Sequence, residues 1–550
     1  MLFPTFDFLL FAIPALVGFW LLSEKPMGRV LWLLVASYFF YMAGPKMDPP
    51  PAPAYFAGLL LFSTVLDFVC GRSIFKLDAD LDSEDEAVVA RAKRIRKSWL
   101  ALSLVGNLGL LAYFKYVNFL ISAFGDVAGL FGVEVAVLHL DVVLPLGISF
   151  YTFQSLSYTL DIEKRRLDAE PSFWRFALFV VFFPQLVAGP IVRAKDLLPQ
   201  LRRGPRFTRA QIEEGAFRVW RGLAKKVVLG DWIAVNLTDK IFDAPGTYTT
   251  AELLLALYAY SLQIYADFSG YTDIAIGIAR MLGFELPENF NRPYQSRNIG
   301  EYWRRWHMTL SSWLRDYLFF PIVLRLGSRA GYVAVWLTMF LVGMWHGASW
   351  NFVIYANVHA AAMVFNRWNR VRDIDADRPW WRKLASWPLG ALGFGGAMAW
   401  LSHAVLYLEW TPALGLGAAC SVVFALLCLL PDENGKFSGV VHIALTFHFL
   451  VFTRIFFRSS DLDTARSFVA GIMKMDTLGI RPGLVTPWIA VALIGGLGFH
   501  FTPKSWVDDY LLGIFRRTPG VILGVLFMAF ILGLMLLMDG MPRAFIYFQF

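Results

Sequence analysis

Residues 289–351 gather the side chains best suited to moving protons and holding charge in an otherwise apolar chain. His307 stands in NFNRPYQSRNIGEYWRRWHMTLSSWLRDYLFFP and His346 in MWHGASWNF, each in dense aromatic company. Around them lie Asn289, Asn291, Arg292, Arg304, Arg305, Asp316, Ser349 and Asn351. An imidazole titrates near pH ~6.5, which suits a general base at neutral pH. Ionisable groups are costly inside a membrane, so a cluster of them there points to function. Taken singly, each histidine has a plainer reading, His307 as an interfacial residue and His346 as a satisfied core residue.

The composition places these residues in a membrane. Of 550 residues, 57% are hydrophobic and 17% charged, against about 25% charged in soluble domains. Uncharged runs of roughly 20 residues, enough to cross about 30 Å of hydrocarbon, recur from end to end. Residues 8–22, 330–366 and 518–538 are examples. The runs are continuous rather than alternating, so the spans are helices and not barrel strands. The expected fold is an all-α polytopic membrane protein with about 11–13 membrane helices. The first span lacks a small-residue cleavage site and reads as retained. Cys70, Cys420 and Cys428 lie in apolar runs without metal-ligand spacing, so neither a disulfide framework nor a metal site is expected. The net charge of +8 reads as cytoplasmic loops rich in Lys and Arg. No signature for nucleic acid is present.

The elements that position the cluster follow from the chain in order. Residues 44–54 form a Pro-rich loop, and residues 71–97 a charged one, DADLDSEDE and then RAKRIRK. That charge run reads as a solvated amphipathic helix on the cytoplasmic side. In FPQLVAGPIVRAKDLLPQLRR, Pro184, Gly189 and Pro190 interrupt an apolar run. Broken backbone at membrane depth needs protein or a wet cavity around it, so a re-entrant segment is expected. NLTDKIFDAPGTYTT reads as an external loop. Asp267 and Asp273 fall within the span that follows it, where they either line a cavity or are neutralised by basic partners.

A helix is expected from Asn298, capped in a box with Glu301 and stopped by Pro321. Trp303, Trp306, Leu310, Trp313, Leu314 and Tyr317 would share its apolar face, with Arg304, Arg305, Ser312, Arg315 and Asp316 opposite and His307 on the boundary. That pattern fits a helix lying in the plane of the membrane or re-entering it. Residues 330–366 carry no charge, and Arg329 and Arg367 flank them. Both ends then lie in the cytoplasm, so the run goes up and returns. The reversal falls at His346, Gly347, Ala348 and Ser349, where Gly347 breaks one helix and Ser349 caps the next. Spans near 387–407, 414–430, 440–456, 487–500 and 521–538 read as structural, with Arg454 and Arg458 at a membrane edge. The whole chain, 1–550, reads as one domain: N-terminal spans to 180, a catalytic core over 183–460, and C-terminal spans over 461–550.

With FPQLVAGPI, YADFSGYTDIAIGIARMLGF, the His307 and His346 stretches and FFRS in this order, the sequence resembles the membrane-bound O-acyltransferase (MBOAT) family. Within it, the chain is similar to the bacterial alginate O-acetyltransferase branch. The resemblance implies re-entrant or in-plane helices around a central tunnel, His346 as the catalytic histidine and His307 as the second essential one. Acyl transfer from a thioester needs a base at the acceptor hydroxyl and donors for the oxyanion. On that footing His346 deprotonates the acceptor and His307 orients donor or acceptor. Asn351 assists the oxyanion or fixes the histidine, and Arg292, Arg304 and Arg305 hold the phosphates of an acyl-CoA. Ser349, Asn291, Asp316, Asp267 and Asp273 complete the candidate set.

Acetyl-CoA or an acyl carrier would donate, with no bound cofactor and no metal. A secreted or periplasmic acetyltransferase would be the partner, and an extracytoplasmic, alginate-like exopolysaccharide the acceptor. The expected location is the bacterial inner membrane. Acetylation of peptidoglycan and D-alanylation of teichoic acid remain open as alternatives. From another class, so does a polysaccharide or lipid transporter or scaffold, although the inverted repeats common in transporters are not visible.

Overall fold

The structure, a computed structural model, describes residues 3, 5–43, 56–204, 208–374, 435–475 and 478–537, with isolated positions between 392 and 423. The Pro-rich loop 44–54 and most of the expected spans 387–407 and 414–430 lie outside the described residues, as does Cys428. Every regular element among the described residues is helical. In hydrocarbon, a helix is the element that satisfies its own backbone.

Three of these helices are individually long and apolar enough to cross a membrane: Phe56–Leu81, Glu86–Leu130 and Phe437–Arg458. A further pair, Trp506–Arg517 and Gly520–Leu534, is long and apolar enough only when taken together and is bent by 114°, as in a broken span or a re-entrant loop. Phe6–Leu21 and Pro487–Phe501 are apolar but shorter. Other uncharged runs are divided, so they do not translate one for one into straight spans. Residues 330–366 become Gly331–His346 and Trp350–Ile374, with the expected reversal between them.

The chain forms two compact units. The first comprises Met1–Val227, Asp267–Asn289 and Lys504–Phe550, and the second Val228–Ala266 and Phe290–Pro503.

In the first unit, the broken segment expected around Pro184 is present. Helix Phe173–Val181 gives way to a single turn, Phe183–Leu186, and then to helix Ala194–Arg203. Phe182, Phe183, Leu186, Ala188 and Val192 are fully buried, as irregular backbone at this depth requires. Helices Arg209–Ala224 and Thr250–Met281 meet through glycines. A Cβ on Gly215 would lie 2.6 Å from the Gly277 carbonyl, and one on Gly222 2.6 Å from that of Gly270. Small residues allow such backbone approach where lipid supplies no hydrophobic drive.

RAKRIRK departs from expectation, because it forms the start of helix Glu86–Leu111 and one of its cations is buried. Arg96, 3% exposed, pairs with Asp78 and donates to the carbonyls of Ile74, Ile162 and Glu163. Its charge clamps three chain segments together and is not displayed to solvent. Asp267 and Asp273, in this same unit, are neutralised. Asp267 pairs with Lys226, and Asp273 receives Arg218 at 3.0 Å, Arg221 at 2.8 Å and Lys225 at 2.9 Å.

The second unit holds both histidines. Its expected loop NLTDKIFDAPGTYTT is largely helical, through Ala234–Thr238 and Asp239–Asp243. Asp239 there accepts from Arg458 at 2.8 Å, so Arg458 is tied within the protein. The hairpin Gly331–His346/Trp350–Ile374 closes tightly, since a Cβ on Gly343 would lie 2.3 Å from that of Ala356. Helix Lys436–Arg458 packs along the second arm of this hairpin.

Candidate active site

The His307 segment is not the continuous helix its periodicity predicts. Asn298 caps as expected, its side chain accepting from Glu301 N at 2.8 Å, but Glu301 turns to Arg297 N at 2.8 Å instead of closing a box. The helix it starts, Ile299–Arg305, ends after 7 residues. Trp306 leaves the helix, and His307 adopts left-handed backbone, φ 44° and ψ 54°. Glycine usually takes this position after a helix end, and a side chain held there costs about 1–3 kcal/mol. A new helix, Met308–Leu314, starts directly after, followed by a wider turn, Arg315–Phe319. Pro321 does not end the segment. It sits in the first turn of Phe320–Leu326, where a missing N–H does no harm. The single apolar face drawn from Trp303 to Tyr317 is therefore split at His307. The histidine is wholly buried.

The second histidine ends helix Gly331–His346. Gly347 follows in extended conformation, and a Cβ there would fall 2.0 Å from the Phe352 ring. Only glycine fits this turn. The Ser349 carbonyl accepts from Val353 N at 3.1 Å, which opens helix Trp350–Ile374.

These two breaks bring the histidines to one aromatic wall. The rings of His307 and His346 lie 5.3 and 5.2 Å from the Trp345 ring. His346 also contacts Phe457 at 5.1 Å and Tyr355 at 6.3 Å. Asn351, 1% exposed, donates to the Ser459 carbonyl at 3.0 Å and thereby fastens the FFRS end to the His346 turn. Its Oδ1 and the Ser459 hydroxyl are buried acceptors without a hydrogen-bond partner among the described residues. Buried polar atoms are rarely left so.

The remaining expected residues divide. Arg305 pairs with Glu301 at 2.7 Å, and its carbonyl accepts from Asn291 N at 2.9 Å. Arg305 and Glu301 line a cavity of about 460 Å³ with Gln295, Arg297, Ile443 and Phe501. Arg292 takes left-handed backbone, φ 49°. Arg304 is exposed, and half-buried Asp316 pairs with neighbouring Arg315 at 2.8 Å. Asp267 and Asp273 belong to the first unit and its ion pairs.

Two residues of the wall, Tyr355 and His359, were not singled out by their sequence. With Asn351 they recur at four-residue spacing on one helix, and all three are buried. His359 shares a hydrogen bond of 3.1 Å with Thr453 Oγ1 and contacts Trp303 and Tyr355. Arg454, expected at a membrane edge, is 1% exposed. A charge on an apolar helix faces the protein, and that signal was available in FTRIFFRSS.

The fold and site are those of a helical membrane protein with a buried histidine pair at a broken-helix turn. The family model described as MBOAT, membrane-bound O-acyltransferase family, matches residues 134–367. The chain is 39% identical over 376 residues to a probable alginate O-acetylase, AlgI, of Azotobacter vinelandii, spanning 68% of this chain and 70% of that protein. It is 33% identical over 401 residues to a peptidoglycan O-acetyltransferase of Helicobacter pylori, spanning 67% and 70%. It is 31% identical over 243 residues to a teichoic acid D-alanyltransferase of Bacillus subtilis, spanning 41% and 60%. The chain belongs to the membrane-bound O-acyltransferase family. It is an O-acyltransferase of the membrane.

Proposed function

We propose that this protein takes an acetyl group from a cytoplasmic thioester and passes it across the bacterial inner membrane for O-acetylation of a secreted, alginate-like polysaccharide. The observation that carries this reading is the convergence of His307 and His346 on the Trp345 ring, one from a left-handed break and the other from a glycine turn. In it, His346 takes the proton of the acceptor hydroxyl, and His307 holds the reacting group against the shared wall. Acetyl-CoA is the donor, and its phosphates occupy the 460 Å³ cavity beside Arg297 and Arg305. A secreted acetyltransferase then carries the group to the polymer.

The likeness to alginate O-acetylases supports a polysaccharide acceptor. The peptidoglycan and teichoic acid relatives define the competing acceptors. Deleting the gene and measuring ester-linked acetate and D-alanine on each polymer decides among them. The reading predicts loss of acetate from the secreted polysaccharide alone. An unchanged polysaccharide with loss from peptidoglycan, or loss of D-alanine from teichoic acid, contradicts it.

A further inference from the structure

Arg454 belongs to the histidine wall, and its surroundings are unusual for a buried cation. It is 1% exposed, and guanidinium groups stay charged in proteins. A buried charge without an opposite charge is strongly unfavourable, and two other buried or half-buried arginines have carboxylates: Arg96 has Asp78, and Arg458 has Asp239. Arg454 has phenols instead. Its Nη2 donates to Tyr302 Oη at 2.9 Å, and the phenols of Tyr294 and Tyr355 lie beside it. The guanidinium lies over the Trp306 and Phe457 rings at 5.1 and 5.6 Å. Its buried Nε–H has no partner among the described residues.

Position and chemistry agree on what is missing. The Phe457 ring that carries Arg454 also carries His346, at 5.1 Å. Tyr355, beside Arg454, reaches the same imidazole. A resident carboxylate would cancel the guanidinium's field, whereas phenols orient it and leave its charge intact. Such an arrangement suits a negative charge that exists only during a reaction.

We propose that Arg454 is a catalytic residue that binds the carbonyl oxygen of the acyl thioester and holds the oxyanion formed there. This rests on the acyl-transfer reading above. The acceptor oxygen bonds to the carbonyl carbon while its proton passes to His346, and the carbonyl π pair moves onto oxygen beside Arg454. Collapse re-forms the C=O bond and breaks the C–S bond. The departing thiolate takes the proton from His346.

The test is acetyl-CoA turnover by the purified full-length protein with its acceptor partner. Wild type is compared with His346→Ala, Arg454→Met and Arg454→Lys, and each variant's melting temperature is recorded. Loss of one oxyanion donor costs about 10²–10³-fold in kcat. The expected result for Arg454→Met is a fall of that size with KM for acetyl-CoA within threefold of wild type, and partial recovery in Arg454→Lys. A kcat within fivefold of wild type, or a loss expressed in KM, overturns the proposal. If Arg454→Met does not fold, Tyr355→Phe decides: a kcat drop of about tenfold at constant KM supports the proposal, and an unchanged kcat overturns it. Turnover abolished in His346→Ala but intact in Arg454→Met removes Arg454 alone. Absence of turnover in wild type removes the acyl-transfer reading and this proposal together.

Discussion

In the first unit, fully buried Asp67 receives hydrogen bonds from the Ser103 hydroxyl, the Asn107 amide and the Ser155 hydroxyl. Ser63 donates to the Asn107 carbonyl oxygen, which completes the chain of bonds. In the second unit, Arg454 is buried just as deeply, yet keeps an N–H without a partner among the described residues, and oxygens of Asn351 and Ser459 lack one there too. Both arrangements set polar groups inside an apolar protein. The first is closed upon itself, and so is the Asp273 cluster with its three basic partners. The second leaves polar atoms without a partner among the described residues. Closed networks rigidify a membrane bundle, whereas open ones mark where a ligand must supply the remaining bonds.

Substitutions should therefore separate the two kinds. The largest effect is expected at His346: replacement by Ala lowers thioester turnover by about 10³-fold or more while the melting temperature stays within a few degrees. Asp273→Ala reverses that pattern. It removes the carboxylate shared by three half-buried cations, of which Arg218 keeps Glu288 and Arg221 keeps Asp508, and destabilises by about 3 kcal/mol, seen as a lowered melting temperature in detergent. Gly347→Ala forces a Cβ against Phe352 and displaces the His346 turn, with a loss of about 10²-fold in kcat. Asp67→Ala is the milder structural lesion, about 1–3 kcal/mol from the groups it leaves unbonded, with kcat unchanged in the protein that folds. A fall in kcat at Asp67 without a fall in stability would erase the distinction between the two networks.

Much of this was legible in the sequence. Composition gave the membrane and the helices, because a chain so poor in charge has no soluble alternative. Arg329 and Arg367 flanking an uncharged run gave the hairpin, and Gly347 its turn. The broken segment at Pro184 followed from proline's missing donor. What the sequence hid came from long-range pairing. A helical wheel draws residues 303–317 as one face, yet His307 breaks the helix, and no glycine marks the spot. By local charge Arg96 reads as part of a solvated helix and Arg454 as an edge residue, and only the folded chain shows one clamped by Asp78 and three carbonyls and the other enclosed by tyrosines. The spacing of Asn351, Tyr355 and His359 was readable, but an aromatic helix in a membrane offers many such stripes.

The central claim is that acyl transfer runs on the His346 turn. The most direct measurement is cleavage of acetyl-CoA by the purified protein in liposomes, wild type beside His346→Ala, with the acceptor partner supplied. The account predicts thioester loss in wild type and none above background in the variant, with equal thermal stability for both. Turnover retained by a folded His346→Ala protein would contradict it.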